Sequence, residues 1–482
     1  MKRKWILNGI FLVIALIAFS LSLFKYDHQV WITAWIAPIF MIRFMRENKW
    51  LLSVIFGFLV LQTALGIGMS QMFSSVGLGS APGDISLIMI KGSIKSGTMF
   101  VAVAFLVPFI LDKVLHNYML KPLSSLIFPS ALVAIELLYS FSVGTLYSFG
   151  QSQLAIQPFI MTYSLFGVYC GTFIIGWFAS IVNKLWEEEW DIKKLGLPGF
   201  VFSGITIMIL VYGAVAIAFP KNAEKTIPVA GIVLDCNFDE RLFSTGFNFL
   251  DPDTNPTEYI NLLKSPDSHL HEMRQKTKEA IETGAKFIIW QEFALTLEAS
   301  VADILLKEMK NLANKENVFL LVSYARILNE EEKNDRIMKN LSILFTPEGE
   351  QAWKYAKAHP IPGSEDLVVE AGSGEIPFID TPYGRIGQVI CFDSQFPSKL
   401  RQAANKNIDV LFSPAYDGRA FTPLHTFSDG FRAIENGYTM VRITGDGLSA
   451  VIDPYYRLWS AQDTDVQGTG NFYCDVPVLS KK

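Results

Sequence analysis

Up to about residue 220 the chain alternates long apolar runs with short polar stretches, and beyond that the apolar runs shrink to strand length. Seven of the early runs are candidates to cross a bilayer: 5–24, 30–45, 50–70, 87–112, 122–142, 161–183 and 198–219. A crossing takes about 20 apolar residues in helix. From 226 onward, strand-like runs fall at Val229–Cys236, Lys286–Glu292, Phe319–Arg326, Leu341–Thr346, Ile386–Cys391, Asp409–Ser413, Thr439–Thr444, Ser449–Asp453 and Asn471–Val476. Helical patterns at 268–283, 301–315, 397–406 and 426–436 alternate with several of them. That alternation predicts an α/β domain built as a layered sandwich. Gly284 is a suitable stop for the first of these helices, and Pro397 a suitable start for the third. Segment 238–267, containing Asp251-Pro-Asp-Thr-Asn-Pro256, has no clear period and reads as a long loop or lid. The expected division is therefore an all-α transmembrane domain over 1–222 and an α/β domain over 223–482.

Positive charge orients the helical part. Met1-Lys-Arg-Lys4 precedes the first run; Arg43, Arg46 and Lys49 follow the second; Lys113 and Lys121 follow the fourth; Lys184, Lys193 and Lys194 follow the sixth. The alternate connections 71–86 and 143–160 contain no Lys or Arg, and Lys25, Lys91 and Lys95 run against the pattern. The positive-inside rule places the N-terminus in the cytoplasm. Seven spans would then deliver everything after Pro220 to the outer face. The first run is too long for a signal peptide core, and no small-x-small site follows it before Lys25-Tyr-Asp-His28, so it reads as retained. Inside the fifth run stands Glu136, either a functional group or a hydrogen-bonding strut between helices. Gly144, Gly150, Gly167 and Gly171 suit close helix contacts or a re-entrant loop.

Composition changes the picture in two ways. Half the residues are hydrophobic and 18% are charged, too apolar for an ordinary soluble protein of 482 residues. The net charge of −5, without a basic stripe, excludes a nucleic-acid footprint. The four cysteines, Cys170, Cys236, Cys391 and Cys474, show no CxxC and no His/Cys spacing suited to zinc, so no metal and no cofactor is expected. Cys236 and Cys474 fall on the first and last strand-like runs of the second domain. They are expected as separate buried thiols, although an oxidising exterior would permit a bridge.

Cys391 carries the chemistry. It ends the run Arg385-Ile-Gly-Gln-Val-Ile-Cys391, just before a helix, where a thiol gains exposure and neighbouring backbone N–H groups. A thiol needs a base to ionise at neutral pH. His269, His271, His359 and His425 are available in this half, and a buried carboxylate such as Glu292, closing Phe287-Ile-Ile-Trp290-Gln-Glu292, serves equally well. Lys357, in Tyr355-Ala-Lys357-Ala-His359, would supply a fixed positive charge to a tetrahedral oxyanion.

With Glu292, Lys357 and Cys391 in that order, the second half resembles the nitrilase superfamily, whose members carry a Glu-Lys-Cys triad on an αββα sandwich. The resemblance narrows to its membrane-bound branch, the apolipoprotein N-acyltransferases. Tyr355-Ala-Lys357-Ala-His359-Pro-Ile-Pro362-Gly-Ser-Glu365 is similar to that branch's Tyr-x-Lys-x-His-Leu-Val-Pro-Phe-Gly-Glu, and Cys391-Phe-Asp393-Ser-Gln-Phe396-Pro397 to its Cys-Tyr-Glu-x-x-Phe-Pro. Arg432-Ala-Ile-Glu435-Asn-Gly437, Arg442 through Asp453, Glu136, the 144–153 stretch and Gly167-Val-Tyr-Cys-Gly171 also follow its pattern.

The resemblance implies Cys391 as nucleophile, Glu292 as general base, Lys357 as oxyanion stabiliser and Glu365 as a supporting carboxylate. Asp393, Tyr355, His359, Glu136, Tyr416 and His425 are candidate substrate or supporting residues. It further implies a phospholipid acyl donor, a diacylglyceryl-cysteine lipoprotein acceptor and a monomer in the inner membrane with its catalytic domain outside. A membrane-tethered amidase for a small C–N substrate and a degenerate lipid- or lipoprotein-binding homologue are the competing readings.

Departures from the pattern gather at the substrate rim. Gln291 stands for Pro, Gly363-Ser364 for Phe-Gly, Ser413-Pro-Ala-Tyr-Asp417-Gly418 for Asn-Asp-x-Trp-Phe-Gly, and Gly445-Asp446 for a paired Asn. The branch's final span has no counterpart at Val478-Leu-Ser-Lys-Lys482. These changes bear on donor or acceptor identity more than on reaction class.

Overall fold

The computed structural model describes all residues except 1, 23–28, 76–97, 121–122, 146–147, 236–263, 330, 333–335, 363–364, 418–420 and 480–482. Cys236, most of segment 238–267, and Lys25, Lys91, Lys95 and Lys121 lie outside the described residues. The chain divides into two compact units, Met1–Pro220 and Lys221–Lys482.

The first unit is helical. Its long helices are α1 (Lys2–Ser22), α2 (Thr33–Glu47), α3 (Trp50–Ser75), α4 (Thr98–Leu115), α5 (Ile127–Val143), α6 (Tyr169–Glu187) and α7 (Gly196–Ala218). Phe19, Met41, Phe105, Phe109, Phe128 and Phe149 meet in its core, while Leu51, Phe100, Leu138, Phe200 and Met208 are exposed. An apolar exterior around an apolar core is what a lipid-facing bundle presents. Among the described residues four helices are long and apolar enough to cross a membrane, with windows at Lys4–Ser22, Trp50–Ile67, Ser124–Val143 and Ile192–Ala218. A fifth is added if Gln157–Phe166 and Tyr169–Glu187, bent by 117° at their break, form one span. The expected straight run 161–183 is therefore interrupted, because Gly167 adopts φ +71° at the end of the short helix Tyr163–Phe166.

The second unit is a four-layer αββα sandwich. One sheet has the order β13-β1-β2-β4-β5-β6, with β3 beside β4; the other has the order β12-β11-β10-β9-β8-β7. The strands are β1 (Ala223–Val233), β2 (Phe287–Trp290), β3 (Thr296–Glu298), β4 (Phe319–Ile327), β5 (Met338–Phe345), β6 (Gln351–Ala356), β7 (Phe378–Thr381), β8 (Gly384–Gln388), β9 (Val410–Tyr416), β10 (Thr439–Gly445), β11 (Leu448–Ile452), β12 (Leu458–Asp463) and β13 (Gly470–Leu479). Helices α8 (Asp267–Glu282) and α9 (Ala299–Glu316) cover the first sheet, and α10 (Pro397–Asn405) and α11 (Leu424–Asn436) the second. The sheets meet face to face: the Phe287 and Phe412 rings lie 5.4 Å apart, and a Cβ on Gly231 would come within 2.4 Å of Ile443.

Each sheet holds a parallel trio, β1-β2-β4 and β8-β9-β10. Strands covered on both faces read as unbroken apolar runs, which is why Phe287-Ile-Ile-Trp290 and Val410-Leu-Phe were visible in sequence. Strands β3, β6, β7 and β12 were not foreseen. β3 is three residues long, β6, β7 and β12 lie at sheet edges, and β6 alternates buried Trp353 and Tyr355 with more exposed neighbours. The expected strand ending at Cys391 stops at Gln388 instead.

Candidate active site

The candidate site gathers at the carboxyl ends of the parallel strands, where open α/β sheets present their loops. Glu292 lies two residues beyond β2, Cys391 three beyond β8, Tyr416 ends β9, and Lys357 follows β6 directly. Loops at these ends bring four distant segments of sequence together.

Glu292 and Lys357 are fully buried, and both are paired. Lys357 Nζ donates to Glu292 Oε1 at 2.8 Å and to Glu365 Oε2 at 2.6 Å. Asn340 Nδ2 donates to Glu292 Oε1 at 2.6 Å, and the Tyr416 amide to Glu292 Oε2 at 2.8 Å. The Ile361 amide donates to Glu365 Oε2 at 3.0 Å. Burial opposes the Lys357 charge, but Glu292, Glu365 and Cys391 hold the ammonium above its ordinary range. Burial raises Glu365 in turn, Lys357 opposing and Glu292 assisting that rise. Lys357 is thus a fixed cation at every working pH.

Cys391 opens a short helical turn, Cys391–Gln395, and takes φ +46°. Left-handed backbone costs a non-glycine residue about 1–2 kcal/mol. Phe293 at +51° and Asp446 at +48° share it, one beside Glu292 and the other beyond β10. Such strain is retained where surrounding structure enforces it, and functional sites are where it collects. The Cys391 Sγ lies 3.9 Å from the Tyr416 carbonyl oxygen and 3.8 Å from Arg442 Nη2. Burial, then Glu292, push the thiol well above its usual range, while Lys357 and Arg442 pull it down and Asp417 adds to the rise.

Asp393 fastens the Lys357 loop to the Cys391 turn. It accepts from Tyr355 Oη at 2.5 Å and from the His359 amide at 2.9 Å, with His359 Nδ1 also 2.9 Å away. Lys399 Nζ stands 3.6 Å off, and the His359 ring stacks on Phe396 at 3.7 Å. Burial would raise the Asp393 carboxyl, but His359, Lys399 and Tyr355 together hold it down at about 2.

The structure thus brings together Glu292, Lys357, Glu365, Cys391, Tyr416 and, one layer out, Asp393, Tyr355 and His359. His425 joins from the start of α11: its Nδ1 lies 2.9 Å from Asp417 Oδ1 and 3.0 Å from Arg442 Nη2. His359 is committed to Asp393, and His269 and His271 lie on α8. Cys391, Asp417 and His425 offer metal-ligand atoms within 4.8 Å of one another. The Arg442 guanidinium contacts all three, so a cation there would face a buried positive charge at close range.

Glu136 belongs to the helical unit. It is buried and accepts from Ser148 Oγ at 2.9 Å, the Phe149 amide at 2.8 Å and Thr172 Oγ1 at 2.6 Å. That is the strut reading of this residue: one carboxylate ties α5, the turn Phe149–Gln153 and α6 together. Gly150 and Gly171 are required there by close approach, since a Cβ would come within 2.2 Å of the Val168 oxygen and 2.3 Å of Tyr163 Oη. Cys474 on β13 is half-buried rather than buried, and its thiol is pushed up to about 11 by burial.

Asn340, Asp417, Asp429 and Arg442 were not singled out as site residues from sequence. Their signal was present: Asn340 and Arg442 each interrupt an apolar strand, and a polar group fully buried in a strand demands a partner. Two rim departures also compensate one another. Gln291 is buried and accepts from the Leu234 amide at 2.9 Å, and a Cβ on residue 445 would meet its Nε2 at 2.5 Å.

Residues 263–475 match the carbon–nitrogen hydrolase family. The chain is 23% identical over 338 residues to the apolipoprotein N-acyltransferase of Rickettsia prowazekii, covering 65% of this chain and 61% of that one. It is 22% identical over 328 residues to the enzyme of that name from Geobacter metallireducens, covering 64% and 59%. A probable nitrilase of Schizosaccharomyces pombe is 27% identical over 179 residues, 35% of this chain and 64% of its own length. The match thus spans about three fifths of the length of the curated acyltransferases. Among solved structures, an amidase from Nesterenkonia sp. aligns with TM-score 0.41 and 16% identity over 54% of this chain and 94% of its own.

Proposed function

We propose that this chain, whose residues 263–475 match the carbon–nitrogen hydrolase family, is a phospholipid-dependent acyltransferase that acylates the N-terminal diacylglyceryl-cysteine of lipoproteins. The observation that carries the reading is the Glu292–Lys357–Glu365 cluster beside Cys391, in one chain with helices of membrane-crossing length. The similarity to curated apolipoprotein N-acyltransferases supports the choice of lipid substrates. In this reading the chain is a monomer in the inner membrane, with residues 223–482 on the outer side, and needs no metal or cofactor.

Glu292 takes the Cys391 proton, and the sulfur attacks the ester carbonyl of a phospholipid. The carbonyl oxygen becomes an oxyanion stabilised by the Lys357 ammonium and by backbone N–H at the start of the Cys391 turn. Collapse breaks the carbon–oxygen bond to glycerol, Glu292 returns its proton to the departing alkoxide, and a thioester remains. The α-amine of the acceptor then attacks the thioester; Glu292 receives the amine proton, the carbon–sulfur bond breaks, and the amide is released. Glu365 orients Lys357, and Asp393 with Tyr355 and His359 keeps the lysine loop against the nucleophile turn.

Exposure of the full chain to a defined phospholipid should add one acyl mass at Cys391, seen by peptide-resolved mass spectrometry. Cys391→Ala and Cys391→Ser should add none, and a fully active Cys391→Ala protein would remove this mechanism. Cys391 is only 1% exposed, which also suits a small amide substrate. Ammonia release from short amides without any lipid adduct would assign the chain to that reaction instead.

A further inference from the structure

We propose that Arg442 is the counter-ion of the Cys391 thiolate, a second cation on the sulfur that acts separately from Lys357. The proposal rests on the reading of Cys391 as nucleophile and adds a catalytic residue to it. Arg442 rises from β10 into the site and is fully buried, with Nη2 3.8 Å from Sγ, inside hydrogen-bonding range for sulfur.

The guanidinium is fixed from two directions. Nη1 donates to Asp429 Oδ2 at 2.8 Å, and Nη2 donates to Asp417 Oδ1. Lys357 is fixed in the same way by Glu292 and Glu365. Cys391 therefore has two buried cations as neighbours, each held by its own pair of carboxylates. A guanidinium does not lose its proton in a protein, so this charge persists whatever the state of the sulfur. Its planar fork serves two carboxylates and the sulfur together, which the single nitrogen of lysine does not. His425 completes the cluster: its Nδ1 either donates to Asp417 or accepts from Arg442, and the guanidinium stays charged in both states.

The cation is needed because the thiol is otherwise disfavoured as an anion. Burial, Glu292 and Asp417 all oppose ionisation, and Lys357 and Arg442 are the two groups that favour it. When the S–H bond breaks, the proton passes to Glu292 and the sulfur keeps the electron pair. That pair forms the carbon–sulfur bond of the thioester and returns to sulfur when the bond breaks. The thiolate thus arises twice in each cycle, and Arg442 faces it both times. Asp417 replaces Phe of the acyltransferase pattern, so the carboxylate that holds Arg442 on this side is a departure of this chain from that pattern.

The test is the pH dependence of Cys391 alkylation by iodoacetamide in the full chain in detergent, read by peptide mass spectrometry to separate it from Cys170, Cys236 and Cys474. The titratable groups facing the sulfur are Glu292, Lys357, Asp417, His425 and Arg442, with Asp429 behind them. Arg442→Gln should slow alkylation at pH 7.5 by about tenfold or more and move the curve to higher pH, the scale of one lost neighbouring charge. Arg442→Lys should recover much of that loss. Asp417→Asn should move the curve the opposite way and raise the rate, which general damage to the fold would not do. If Arg442→Gln does not fold, Asp417→Asn decides alone, and an unchanged or lower rate overturns the proposal. An unmoved curve in folded Arg442→Gln overturns it as well. Alkylation needs no lipid, so a failure of phospholipid acylation with these shifts intact would sink the donor assignment and leave Arg442 in its role.

Discussion

Cys391 sits where its anion is opposed by burial and by two carboxylates, and the side chains around it correct that opposition locally. Removing one side of a buried ion pair leaves the other uncompensated, a loss of about 3–5 kcal/mol in stability. Lys357→Met should therefore lower the thermal midpoint and also abolish acyl-enzyme formation, whereas Lys357→Arg should restore the fold better than the rate. Asn340 bonds the same Glu292 oxygen as Lys357. On the proposed mechanism, Asn340→Leu should lower kcat about tenfold or more with the fold intact, because Glu292, the proposed general base, loses its orientation. Asp393 offers a pH test. Its folded pKa of about 2 lies below the usual carboxylate value near 4, so the fold favours its anion. The resulting stability, about 2 kcal/mol, is present above pH 4 and is lost as pH falls toward 2. Asp393→Asn should melt earlier than the parent at pH 7 in detergent, and the gap should narrow as the pH drops below 4.

Elements position these side chains by where they end. Within a sheet, parallel strands point their carboxyl ends the same way, so β8 and β9 deliver Cys391 and Tyr416 together, β10 holds Arg442 midway along the next strand, and β2 delivers Glu292 from the other sheet. In the helical unit the equivalent device is a break: α5 and α6 are joined through the Phe149–Gln153 turn by one carboxylate with three donors. Each such bond to a charged acceptor is worth about 1.5–3 kcal/mol when its partner is left buried. Glu136→Leu should lower the melting temperature in detergent by about 5 °C or more, a few kcal/mol at this chain length. Glu136→Gln, able to keep part of the bonding, should lower it less. Scanning calorimetry or tryptophan fluorescence would measure both; an unchanged Glu136→Leu would reject the strut.

At the scale of the whole molecule, orientation is the proposal that matters, because the two proposed lipid substrates would have to meet the second unit on one side of a membrane. On the proposed topology, with an odd number of spans, charge asymmetry would put the N-terminus inside and residues after Pro220 outside. Alkaline phosphatase fused at residue 222 should be active and green fluorescent protein at the same point dark; the reverse result would place the second unit in the cytosol. Much of this organisation was legible in sequence. The apolar helical half and the buried parallel strands follow from one-dimensional periods that neighbours in sequence impose. The edge strands β3, β6, β7 and β12 were not legible, since their residues are fixed by the strand beside them rather than by their own pattern.

Sequence alone determined that the chain pairs an apolar helical half with an α/β half, and it singled out Glu292 at the end of an apolar run, Lys357 beside Tyr355 and Cys391 before a helix. Hydrophobic period and residue type are local properties, and nothing distant is needed to state them. Tertiary structure decided which groups share a charge. Lateral strand order put Asn340 on Glu292 within the first sheet and Arg442 against Cys391 within the second, and the stacking of the two sheets put Asp393 between the lysine loop and the Cys391 turn. Hydrogen bonds act only over a few ångströms and Coulomb energies weaken with distance, so both depend on a convergence in space that spacing along the chain does not encode.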